Sequence, residues 1–124
     1  MAFAKPERAG DYLEHIAEAC RRIQRYTDGM NLQGFEANRM VQDAVVRNFE
    51  ILGEAGQQLS RQAPDWLNSQ PELRLQLRLA YTMRNRLAHG YFELDLETVW
   101  DAAQRDIPHL LALVQSLRPQ LPSE

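Results

Sequence analysis

One apolar pattern limits what this chain can become. Val41, Val45, Asn48, Leu52, Ala55 and Leu59 recur at steps of three and four, and Met40, Phe49 and Ile51 widen the stripe. A helix turns about 100° per residue, so this spacing gathers the side chains on one broad face. A helix apolar over so much of its circumference must be covered on several sides, which makes it the centre of a bundle. Asn48 and Glu54 are its polar exceptions. A side-chain amide at such a position reads first as a hydrogen-bonded core group and only second as a catalytic one.

Three further helices fit around it. The first starts after Gly10 with Asp11 as N-cap, repeats Tyr12, Leu13, Ile16, Cys20 and Ile23 at helical spacing, and ends at the Asp28-Gly29 turn signal. Met30–Gly34 reads as a loop, and the central helix then spans about Phe35 to Ser60. Ala63-Pro64-Asp65 breaks the chain, leaving Trp66–Gln70 as a short helical turn. Pro71 suits the first turn of a third helix that stops at Gly90, a favoured residue just past a helix end. Asp95 caps a fourth, with Leu94 and Val99 placed as a hydrophobic staple. Its buried side is Val99, Trp100, Ala103, Ile107, Leu110, Leu111, Val114 and Leu117. Pro108 inside it predicts a kink, because the carbonyl of Gln104 loses its donor. Pro119 and Pro122 close the structure. No strand pattern, repeat or low-complexity run is visible. The expectation is an all-α fold, an antiparallel bundle of four main helices with or without a short extra one, in a single domain over residues 1–124.

Composition narrows the functional classes. The 124 residues carry 44% hydrophobic and 25% charged side chains, an ordinary globular balance long enough to bury a core. The formal net charge is −3, so nucleic acid would have to be held by a local patch and not by a global field. Lys5 is the one lysine, an arginine bias that base composition of the gene explains before phosphate recognition does. A lone Cys20 excludes an intrachain disulfide framework and suits a reducing compartment. The opening MAFAKPERAG has no apolar core of a signal peptide, and no run approaches a bilayer span. A cytoplasmic protein is expected, with no membrane partner. His15, His89 and His109 are scattered and no pair has ligand spacing, so neither a metal site nor a cofactor is called for.

The chemistry concentrates in Tyr81–Asp95, YTMRNRLAHGYFELD. Leu73, Leu77, Ala80, Arg84 and Leu87 share one face of the third helix, which places Arg84 inward on an apolar stripe where an unpaired guanidinium would be costly. Arg74, Arg78, Tyr81, Asn85 and His89 form a neighbouring polar stripe. Two readings stand at this point. Arg84 is either half of a structural ion pair, with Glu54 or another carboxylate, or a group held for an anionic ligand.

RNRLAHGY followed by FELDLETVW resembles the signature of HEPN domains, and within them the HepT-like toxins. That signature is an arginine with a polar residue after it, a histidine four to six intervening residues on, and a tyrosine two beyond the histidine. Arg84, Asn85, His89 and Tyr91 stand at those positions, and the likeness extends upstream to VVRNFEILGEAGQQLS and downstream to VWDAAQRDIPHLLALV. The resemblance implies a metal-independent endoribonuclease working as a homodimer, the toxin of a pair with an MNT-type nucleotidyltransferase antitoxin. It implies too that Tyr91 is the acceptor of AMP groups that silence the toxin; packing beneath the loop is the plainer role for such an aromatic.

The residue types suit that chemistry. Cleavage needs a base for the ribose 2′-hydroxyl, a cation for the phosphorane and an acid for the leaving 5′-oxygen. Imidazole titrates near neutrality, so His89 fits proton transfer. Arg84 fits the phosphate through its planar fork of donors, and Asn85 is placed to orient either Arg84 or His89. A helix C-terminus favours the imidazolium of His89 while Arg84 and Arg86 oppose it. Arg74, Arg78 and Arg86 are candidates for flanking RNA phosphates, although each alone reads first as part of a solvated helix face.

Overall fold

The computed structural model describes residues 9–88 and 95–117. It is all-α. The helices are α1 (Ala9–Thr27), α2 (Leu32–Glu36), α3 (Arg39–Gln62), α4 (Pro64–Asn68), α5 (Pro71–Ala88), α6 (Leu96–Asp101) and α7 (Ile107–Leu117), with the π-helical segment Ala102–Asp106 joining the last two into one rod. The four long rods form the bundle. α3 packs on both α1 and α5, α7 packs on α1, and α5 and α7 touch only lightly. The broad stripe on α3 thus lies at the centre, with Val45, Phe49, Leu52 and Leu59 closed off from solvent against Leu13, Ile16 and Ile23 of α1 and Leu73 and Leu77 of α5.

Local chemistry moves several boundaries. α1 already contains Ala9 and Gly10, so Asp11 stands inside its first turn, where a carboxylate favours the helix dipole, and is not the N-cap. The α1 exit is as expected: Gly29 turns the chain at φ 75°. Residues 30–34 are not all loop. Asn31 caps α2 by accepting from the Gly34 amide at 2.8 Å, and Asn38 restarts the helix by accepting from the Val41 amide at 3.1 Å. Two asparagine caps, at Asn31 and Asn38, therefore split what reads as one helical start. Met40, expected on the apolar stripe, is 80% exposed in the first turn of α3. Pro64 opens α4, and Asp95 caps α6 by accepting from the Glu97 amide at 3.0 Å. Leu94, the expected staple partner, lies outside the described residues.

Pro108 does not act on a plain α-helix. The Ile107 amide donates to the Ala102 carbonyl, five residues back, in a π-turn just before the proline. Pro108 then occupies the first turn of α7, where a missing N–H costs little.

Candidate active site

The site is built where α5 crosses α3. At Gly53 the helices come so close that a Cβ there would lie 2.8 Å from the Arg84 Cβ and 3.1 Å from its Cγ. The aliphatic stem of Arg84 passes over this bare backbone, and its head emerges beyond it. The Arg84 side chain keeps 33% of its exposure, so the expected inward guanidinium is corrected to a buried stem with a head in reach of water.

Three groups hold that head. Arg84 Nη2 donates to Glu54 Oε1 at 3.3 Å, and Nη1 donates to Asn85 Oδ1 at 3.1 Å. The guanidinium carbon also lies 5.7 Å from the centre of the Tyr81 ring, within cation–π range. The other oxygen of Glu54 accepts from Gln58 Nε2 at 3.5 Å. The pair with Glu54 is thus real but long for a charge-assisted bond, and the carboxylate is half exposed. Exposed pairs of this kind contribute roughly 0–1 kcal/mol, so a phosphate can displace the carboxylate at little cost.

Arg84 opens onto a cleft of about 670 Å³ whose walls include Tyr12 and His15 of α1 and Arg47, Glu50, Glu54 and Gln58 of α3. No pattern in the sequence flags His15, Arg47 or Glu50 there, because they read as ordinary solvated helix positions. A smaller cleft of about 270 Å³ is bounded by α3, α4 and α5 and lined by Arg74, Arg78 and Tyr81. Arg86 is exposed and lines neither cleft. The expected arginine set is therefore divided: Arg84 at one opening, Arg74 and Arg78 at another, Arg86 on the outer face. His89 and Tyr91 lie outside the described residues.

Two other groups singled out from the sequence find their places. Asn48 is buried and its Nδ2 donates to the Ala44 carbonyl at 2.9 Å, but its Oδ1 has no partner among the described residues, so it is only half the satisfied core amide expected. Cys20 is core, and burial pushes its thiol up to about 12 despite the opposing charge of Arg21. Among the described residues no three His, Cys, Asp or Glu side chains converge as a metal site would require. His109 instead meets Glu72 at 2.7 Å on the outer surface.

This geometry carries the arginine half of the motif, and the chain as a whole matches the family model described as Ribonuclease HepT-like over residues 16–117. The chain belongs to the HepT-like ribonuclease family. Among relatives of this HepT-like chain is "Probable ribonuclease HepT" of Thermococcus cleftensis, 35% identical over 108 residues, which are 87% of this chain and 94% of that protein. Another is "Gamma-glutamylcyclotransferase and putative RNase MJ0434" of Methanocaldococcus jannaschii, 32% identical over 110 residues, 89% of this chain but 47% of that longer protein. A third, "Putative RNase TTE0752" of Caldanaerobacter subterraneus, is 27% identical over 106 residues, 86% of this chain and 90% of that protein. No solved structure matches the chain. No helix among the described residues is long and apolar enough to cross a membrane.

Proposed function

We propose that this HepT-like chain is an endoribonuclease that cuts RNA without a metal ion, through Arg84 and His89 with Asn85 as the orienting group. A base removes the proton from a ribose 2′-hydroxyl, and the 2′-oxygen attacks the adjacent phosphorus. The bond to the 5′-oxygen breaks, and an acid returns a proton to that oxygen. The products are a 2′,3′-cyclic phosphate and a free 5′-hydroxyl. His89 supplies proton transfer, and Arg84 stabilises the extra negative charge on the phosphorane.

The observation that carries this reading is the seating of Arg84. Its stem is fixed over Gly53, while its head is held by a long, half-exposed pair at the mouth of an open cleft. Asn85 keeps one edge of the guanidinium oriented when phosphate replaces Glu54 on the other. The catalytically silent alternative, a helical module binding a nucleotide or a protein through the same cleft, draws on the Arg84–Glu54 pair itself.

The wider reading is a cytoplasmic toxin, acting as a homodimer and neutralised by an MNT-type nucleotidyltransferase antitoxin that adds AMP to Tyr91. One histidine does not readily serve as base and acid together, and a symmetric pair of sites supplies two. Arg84→Ala and His89→Ala should each lower cleavage about 10²–10⁴-fold with the helical content intact. Wild-type products should end in a cyclic phosphate or its hydrolysed form, and cleavage should persist in a chelator. A 3′-hydroxyl product, or cleavage that stops in the chelator, would overturn the mechanism; full activity in both variants would remove Arg84 and His89 from it, and no cleavage by the wild type would leave the silent module.

A further inference from the structure

We propose that the smaller cleft, between α3, α4 and the middle of α5, is a nucleotide subsite that takes a single-stranded RNA unit flanking the one at Arg84. The proposal rests on the ribonuclease reading for its context but not for its test.

Charge balance separates the two clefts. The larger one faces Arg84, Arg47 and His15 toward Glu54 and Glu50, and both arginines are paired there, Arg84 with Glu54 and Arg47 Nη1 with Glu50 Oε1 at 3.6 Å. The smaller one is lined by Arg74 and Arg78, and none of the described residues lining it is acidic. Among the described residues neither arginine has a carboxylate partner. Arg74 and Arg78 are four residues apart, so their heads emerge on one face a single turn from each other. In a chain of net charge −3, this cleft is a local concentration of unneutralised positive charge, and its complement is an anion.

The remaining lining is suited to more than phosphate. Gln57 Nε2 donates to the Tyr81 hydroxyl at 3.1 Å, which leaves the Gln57 carbonyl oxygen to accept and the Tyr81 hydroxyl proton to donate. Asn68 adds an exposed amide with both a donor and an acceptor, and the Ser60 hydroxyl, which donates to the Gln57 backbone carbonyl at 2.7 Å, keeps acceptor capacity. Side-chain amides read base edges, and aromatic rings and guanidinium planes support unstacked bases. Leu67 and Leu77 give the floor an apolar character suited to a base. At about 270 Å³ the cleft is below the roughly 300–1,000 Å³ of drug-sized ligands, which fits one nucleotide rather than folded RNA.

Continuity with the reactive centre comes through Tyr81, which lines this cleft and carries the Arg84 guanidinium 5.7 Å from its ring centre. Arg78 and Arg84 are six residues apart, about 9 Å along the helix axis. A strand whose phosphate meets Arg84 would therefore run its neighbour along α5 into the second cleft. Arg74 and Arg78 would hold that neighbour's phosphate, and Gln57 and Asn68 would select its base.

The test uses uncleavable probes, 2′-O-methylated oligo(A), oligo(U) and oligo(C), bound to the full chain by fluorescence anisotropy across a salt series. Arg74→Gln/Arg78→Gln should weaken all three probes and make the slope of log affinity against log salt shallower, by about 0.7 for each phosphate no longer held. Asn68→Ala, at an exposed position, should leave the slope alone and change the ranking of the three probes. The arginine and asparagine positions are exposed, and circular dichroism checks that the fold is kept. If wild type binds none of the probes, or the arginine variant keeps the wild-type slope, the subsite is wrong and the cleft serves a protein partner or nothing. A ranking unmoved by Asn68→Ala overturns base selection. Probe binding that depends on the two arginines in a protein that cuts no RNA supports the subsite while the ribonuclease reading falls. Cleavage with unchanged slopes does the reverse: the ribonuclease reading stands and the subsite falls.

Discussion

At Arg84 one side chain does two kinds of work. Its methylenes complete the packing between α3 and α5, and its guanidinium is left at the cleft mouth between Glu54, Asn85 and Tyr81. We take Tyr91, two residues past His89, as the control point for that guanidinium. On the reading proposed above, an AMP group on it would bring a phosphate and a base to the site and block RNA by charge and volume together. With the partner nucleotidyltransferase, ATP and magnesium, intact-mass measurement should find AMP on the wild type and none on Tyr91→Phe, which should go on cleaving. AMP on the Phe variant, or none on the wild type with a competent partner, returns Tyr91 to a packing role. Spacing in the sequence sufficed to find Arg84 and Asn85 and to name Glu54 as one of the possible carboxylate partners. It could not reveal how far the head of Arg84 reaches into water, because a wheel records direction and not the length of a side chain. His15, Arg47 and Glu50 were invisible for a related reason: their place at the cleft follows from how α1 and α3 pack, not from any local pattern.

Between elements, the decisive approaches are at the two glycines of α3 beneath α5. A Cβ on Gly53 would meet the root of Arg84 at 2.8 Å, an atom that cannot move without its helix. A Cβ on Gly56 would meet Leu77 Cδ2 at 3.2 Å, the far end of a side chain that can give way. Alanine in a helix is worth about 1 kcal/mol over glycine, and overpacking costs about 1–3 kcal/mol. Gly56→Ala should therefore be near neutral in urea unfolding. Gly53→Ala should lose about 1–2 kcal/mol and, because it displaces Arg84, should reduce cleavage well beyond what the lost stability explains. Equal stability of the two variants would show that the helices do not meet as closely as described. The GEA segment thus has a physical sense: Gly53 admits the stem of Arg84, Glu54 holds its head, and Ala55 borders the cleft. The four long rods could be read from periodicity alone, since each buries a stripe. The split at Ala37-Asn38 and the π-turn before Pro108 could not, since both depend on single hydrogen bonds that leave the apolar period nearly unchanged.

For the whole molecule, the mechanism proposed above calls for a second proton-transfer group, and the outer face of α5 is where a second copy of the chain could dock. Leu75 and Leu79 are 52% and 51% exposed and one turn apart on α5, with Leu79 also bordering a small cavity shared with Phe49 and Leu52 of α3 and with Ile107 and Leu110. Two large apolar side chains so placed gain from being covered, and another copy of the same face would cover them symmetrically. Arg86 falls within about 20° of Leu75 on the helical wheel, so that face also leads toward the end of α5 from which His89 follows. A pair of chains joined there would hold two arginine–histidine motifs in one particle, with each Arg84 on the side of its α5 opposite the seam. Sedimentation at micromolar concentration should then show a dimer. Leu75→Glu/Leu79→Glu should yield a folded monomer, because neither side chain contributes to the closed core. If the second proton-transfer group comes from the partner copy, the same double variant should lose cleavage with Arg84 and His89 both still present. A monomeric variant that cleaves as well as the wild type would assign both proton transfers to groups within one chain.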